Sequence, residues 1–146
     1  MKQIKKILFL IDFAGNYDSL LPWVSTFVEK FGATLYVAFV TQDFSNFATF
    51  YVPHGNIKSF QDEVKAAAEK RMAAAAKEHF QNFPKLKTVV LVGSPAEKIL
   101  ELARQENIDL IIMGAHGRKG LERAFFGSVA DKVVTGAPCP VLTIHP

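Results

Sequence analysis

"DLIIMGAHGRKGLERAFFGSVADKVV", residues 109–134, opens as one kind of element and closes as another. Leu110–Met113 form a continuous apolar run after Asp109, the pattern of a strand covered on both faces. Gly114 follows the run; two residues separate it from Gly117, and nine separate Gly117 from Gly127, which Ser128 follows. Ser128 stands three before Asp131, with Val129, Val133 and Val134 behind it, so the spacing predicts a capping box and the start of a helix. Strand, glycine turn, basic loop and helix is half of a crossover unit.

Four other apolar runs repeat the first: "ILFLI" (7–11), "TLYVAFV" (34–40), "TVVLV" (88–92) and "PVLTI" (140–144). Helical spacing fills the gaps, so the order reads β-α-β-α-β-α-β-α-β. That alternation predicts an α/β fold, a doubly wound Rossmann-like parallel sheet with helices on both faces. No linker or repeat divides residues 1–146, so one domain is expected.

The helices differ in their signals. The first is placed near 19–31, with Pro22 in its first turn and Gly32 ending it. The second, about 57–82, carries Ile57, Phe60, Val64, Ala68, Met72 and Ala75 on its apolar face. The third opens on Ser94, Pro95 and Glu97, a second capping box. Between second strand and second helix, 41–56 carries Phe44, Phe47, Phe50 and Tyr51, and reads as a binding lid, an interface, a disordered insert or a cover for the chain's own core.

Composition narrows the function classes. Seventeen Lys and Arg against fourteen Asp and Glu give +3, without a basic tract, so nucleic acid is not an expected partner. "ILFLI" falls short of the roughly 7–15 apolar residues of a signal peptide, and nothing approaches the ~18 of a membrane span. Cys139 is the single cysteine, which excludes an internal disulfide and fits a reducing cytoplasm.

In open parallel sheets, ligands lie beyond the carboxyl ends of the strands where strand order reverses. If the first and fourth strands are neighbours, Asp12 and Gly114 flank one crevice; spacing alone leaves that order open. Gly114 and Gly117 let a ligand approach the main chain. Gly127 and Ser128 open a helix whose free N–H groups and dipole favour an anion. The expected phosphate donors are the amides of Gly127, Ser128 and Val129 and the Ser128 hydroxyl, with Arg118, Lys119 and Arg123 adding charge. His116 reads as a solvated loop residue, and Phe125 and Phe126 as anchors for the loop. A Walker loop, a nicotinamide fingerprint, a nucleophile elbow and close metal-ligand spacing are all absent from the sequence.

The G-2x-G-9x-G-S pattern between a fourth and fifth strand resembles the ATP-binding universal stress proteins. So do "KKILFLIDF", "ATLYVAFV", "VGSPAEKIL" and the closing "APCPVLTI", which extend the resemblance over nearly the whole chain. The resemblance implies a five-stranded sheet of order 3-2-1-4-5. It places Asp12 beside adenine and ribose, the main chain of Val40 on the adenine, and Met113, Gly114, Gly117, Gly127, Ser128 and Val129 around ribose and phosphates. It also implies a homodimer built on the fifth strand, Val141–Ile144. Leu10 stands where the family often has proline, and Ala14 where it usually has serine, so the departures concern the adenine–ribose end. The expected function is a nucleotide-responsive regulatory or protective module, with ATP as ligand and Mg²⁺ entering through the phosphates and Asp12. A ligand-free interaction dimer and a weak nucleotide-processing enzyme are the alternatives.

Overall fold

The computed structural model describes residues 1–13, 15, 17–45, 54–115 and 127–145. Its elements are β1 (Lys6–Leu10), α1 (Leu21–Phe31), β2 (Thr34–Thr41), α2 (His54–His79), β3 (Leu86–Val92), α3 (Pro95–Gln105), β4 (Leu110–Gly114), α4 (Ser128–Gly136) and β5 (Val141–Ile144). A short 3₁₀ turn, Tyr17–Leu20, leads into α1. The five strands pair in parallel in the order β3-β2-β1-β4-β5. The alternation read from the apolar runs is therefore the observed one, each strand within two residues of its expected bounds.

Period-two alternation sorts the side chains into two cores. Ile7, Phe9, Leu35, Val37, Leu110, Ile112 and Ile144 meet Val24 and Val28 of α1 and Met72 of α2 on one face. Leu8, Tyr36, Ala38, Val40, Ile111 and Met113 meet Ile99 and Leu102 of α3 and Ala130 and Val133 of α4 on the other. Both faces are thus covered, which is why the strands read as unbroken apolar runs. Leu142 packs with Ile144 on the first face, while Val141 packs on the second.

The helix ends correct part of the sequence reading. Gly32 takes the left-handed conformation, φ 60° and ψ 34°, and closes α1 as expected. Its N–H donates to the Glu29 carbonyl and that of Ala33 to Val28, which satisfies two carbonyls the helix end would leave open. Neither expected capping box forms. Ser94 is the N-cap of α3 but its side chain makes no cap hydrogen bond. For α4 the N-cap is Gly127, so Ser128 is the first helical residue and cannot cap its own helix. On α2, Ile57, Ala68, Met72 and Ala75 are buried as expected, whereas Phe60 is exposed. Its ring turns instead to Phe44, 5.1 Å away edge to face. Since β2 runs to Thr41 and α2 starts at His54, the connection is shorter than the expected 41–56. Phe47, Phe50 and Tyr51 lie outside the described residues.

Candidate functional site

Strand order reverses between β1 and β4. The chain leaving β1 goes to α1 on the first face, and the chain leaving β4 goes to α4 on the second. The two connections diverge, and a crevice opens above the carboxyl ends of both strands. The sequence left the neighbour relation open; the Ile7↔Leu110, Leu8↔Ile111 and Phe9↔Ile112 pairing settles it.

Asp12 stands two residues beyond β1. Ile11 still donates to the Ala38 carbonyl at 2.9 Å, so the β1–β2 register outlasts the strand. Carried on, that register sets Asp12 level with Val40 on one side and with Ala115 on the other. Gly15 then donates to the Asp12 carbonyl at 3.0 Å and turns the chain away. Val40 and Met113 are buried in the second core, so what they offer the crevice is main chain. Gly114 is the last residue of β4, paired with Ile144.

The second wall is α4. Gly127 donates its N–H to the Ala115 carbonyl at 3.0 Å, which fastens the helix start directly to the end of β4. This bond corrects one expected role, because an amide engaged with Ala115 is not a phosphate donor. The first helical bond runs from the Asp131 N–H to the Gly127 carbonyl at 3.0 Å. The amides of Ser128, Val129 and Ala130 accordingly have no intrahelical acceptor, and the positive end of the helix lies with them. Gly117 and Arg118 lie outside the described residues, as do Ala14, His116, Lys119, Arg123, Phe125 and Phe126.

One part of the neighbourhood carried no sequence signal. Phe13, next to Asp12, packs on Phe39 with ring centroids 4.5 Å apart. The Arg71 guanidinium of α2 also lies over this ring, 4.6 Å from the Phe13 centroid, and donates to the Phe13 carbonyl at 3.5 Å. Residues 13, 39 and 71 share no spacing, so only the folded chain brings them together. At the end of β2, the Thr41 carbonyl accepts the Gly93 N–H at 2.9 Å, while the Thr41 hydroxyl is buried without a partner among the described residues.

The chemistry on offer is mixed: the α4 amides favour an anion, whereas the Asp12 carboxylate suits a hydroxyl or a cation. Asp12 brings a carboxylate and α4 brings amides; Cys139 is remote, preceding β5 at the opposite end of the strands. Burial, and then the Asp109 carboxylate, push the Cys139 thiol above its usual range, which keeps it protonated rather than nucleophilic. Among the described residues no group of three or more His, Cys, Asp or Glu side chains could hold a metal ion. No helix among them is long and apolar enough to cross a membrane.

Comparison with known proteins gives a consistent result. The family model for the universal stress protein family matches residues 3–145. Universal stress protein A homolog 2 of Coxiella burnetii is 30% identical over 146 residues, covering 99% of this chain and 97% of that protein. The solved universal stress protein UspA of Lactobacillus plantarum superposes with a TM-score of 0.80 at 26% identity, over 99% of both chains. The universal stress protein of Archaeoglobus fulgidus, solved in complex with dAMP, gives 0.65 at 20% identity, over 98% of this chain and 99% of that one.

Proposed function

The chain belongs to the universal stress protein family, and on that premise we propose that it binds ATP as a nucleotide-responsive regulatory or protective module. The observation that carries this reading is the 3.0 Å bond from Gly127 to Ala115. It holds an anion-favouring helix start against the strand end that faces Asp12, within the G-2x-G-9x-G-S spacing.

In this reading Asp12 and the main chain of Val40 take the adenosine end. Met113 and Gly114 line the floor with backbone, and Gly117 gives a phosphate close approach. The amides of Ser128 and Val129 hold phosphate oxygens, Arg118 adds charge at the rim, and Gly127 sets the wall without donating. A bound Mg²⁺ would take hard oxygen ligands from the phosphates and from Asp12, consistent with the donor set of the crevice. The A. fulgidus complex with dAMP supports the same ligand class for this fold. A homodimer through β5 and a cytoplasmic setting complete the proposal.

The test is direct. Purified protein is denatured and the released small molecules are chromatographed for adenine nucleotides; ligand-free protein is then titrated calorimetrically with ATP. Co-purified nucleotide, or affinity tighter than millimolar, is expected. Absence of both would remove ATP from the reading and leave an interaction module.

A further inference from the structure

Ile11 and Phe13 both pack on the first core, Ile11 buried within it and Phe13 partly buried against it. Asp12 lies between them. A chain that alternates over these three residues turns Asp12 to the opposite side, that of α4. Ile11 is held by its N–H on the Ala38 carbonyl at 2.9 Å, but β1 has already ended at Leu10. The direction of Asp12 therefore depends on how firmly Phe13 is held.

Three elements hold it. Phe39 of β2 lies 4.5 Å from the Phe13 ring, centroid to centroid, and Tyr17 of the 3₁₀ turn meets that ring edge to face at 6.3 Å. From α2 comes Arg71, its guanidinium 4.6 Å from the ring centroid and its N–H on the Phe13 carbonyl at 3.5 Å. Of these three contacts, the one from Arg71 engages both ring and main chain. Arg71 itself is exposed, while Ala68, Met72 and Ala75 fasten α2 to the core from buried positions. The helix thus stays in place without the guanidinium.

We propose that Arg71 is a positioning residue for the nucleotide site: by clamping Phe13 it keeps the Asp12 carboxylate directed at the crevice. The proposal rests on the reading of Asp12 as a nucleotide contact, and it gives α2 a part in binding. Gly15 is the local reporter of the clamp. Its N–H donates to the Asp12 carbonyl at 3.0 Å, so a loosened Phe13 loosens that bond as well.

Four proteins are titrated calorimetrically with ATP: the wild-type chain, R71A, D12A and R71A/D12A. R71A is expected to weaken binding about two- to fivefold, the scale of one exposed cation–π contact. In the D12A background the same substitution should leave affinity unchanged, because the group it positions is gone. Amide exchange, followed by NMR in ligand-free protein, should quicken about two- to fivefold at Gly15 in R71A and stay the same at Ile11. Where D12A leaves no measurable binding, the Gly15 exchange decides. A lower thermal midpoint in R71A, with affinity and Gly15 exchange unchanged, would overturn the proposal and reduce Arg71 to a stabilising contact. An equal loss of affinity in both backgrounds would overturn it too, since Arg71 would then act on the ligand directly. Wild-type protein that binds no ATP, or D12A that binds as well as wild type, would bring down the nucleotide reading of Asp12 and this proposal with it.

Discussion

Gly127 has an ordinary extended backbone, φ −48° and ψ 153°, that any residue can adopt. Backbone strain therefore does not account for its lack of a side chain. Gly127→Val is expected to abolish nucleotide binding in calorimetry while moving stability by about 1 kcal/mol or less, the scale of losing a favoured N-cap. Equal loss of binding and folding would mean that the glycine serves the turn alone. Gly32 is the opposite case, because its φ of 60° is the conformation that penalises side chains. Gly32→Ala should cost about 1 kcal/mol in urea denaturation although a methyl group there would touch nothing within 4 Å. Thr41 offers a third kind of test. Its hydroxyl is buried and unpartnered among the described residues, so the isosteric Thr41→Val should be neutral or stabilise by up to about 2 kcal/mol.

At the level of elements, the central β1–β4 pair is stitched by one side chain. The Asp109 carboxylate accepts the backbone N–H groups of Lys5 and Lys6 at 2.9 and 3.0 Å. Asp109→Ala should therefore destabilise by about 1–3 kcal/mol, read by chemical denaturation, because two amides lose a charged acceptor. Two other junctions respond to alkali. Burial, with Asp18 and Glu78 beside it, raises the Tyr17 hydroxyl above 10.0, and burial with Asp109 raises the Cys139 thiol above 9.0. The unfolded chain releases these protons first, so their contribution is whole below the unfolded values. It declines as pH rises through the folded ones, and thermal midpoints should begin to fall above about pH 9. The strands were legible in the sequence because burial on both faces leaves no polar interruption. The capping bonds were not, although α3 does start at Pro95 directly behind Ser94 as read. Ser94 and Ser128 fit a capping pattern, yet a cap is a matter of rotamer and of one residue of phase. Phe60 has the right spacing on α2, but the nearby Phe44 ring competes for it.

Over the whole molecule, the two sheet edges are unlike. The β3 edge has Lys85 and Lys87 exposed, charges that discourage pairing, whereas β5 is Val141, Leu142, Thr143 and Ile144. Since the Pro140 and Ile144 carbonyls bond to β4, the N–H and C=O groups of Val141 and Thr143 point outward. Leu142 and Ile144 both pack on the first core, so neither is suited to a clean test of that edge. Thr143→Pro removes an outward donor and leaves the β4 ladder alone; it should halve the mass in sedimentation if β5 forms the dimer. The sheet order itself came from resemblance rather than from spacing, because apolar runs record burial and not adjacency. The Gly127–Ala115 bond, for its part, makes residues 116–126 exchangeable. Both ends of that span are fixed to β4 and α4. Loop closure costs only about 0.6 kcal/mol per doubling of length, so evolution can lengthen, shorten or recharge the span and so retune ligand choice while inheriting the fold unchanged.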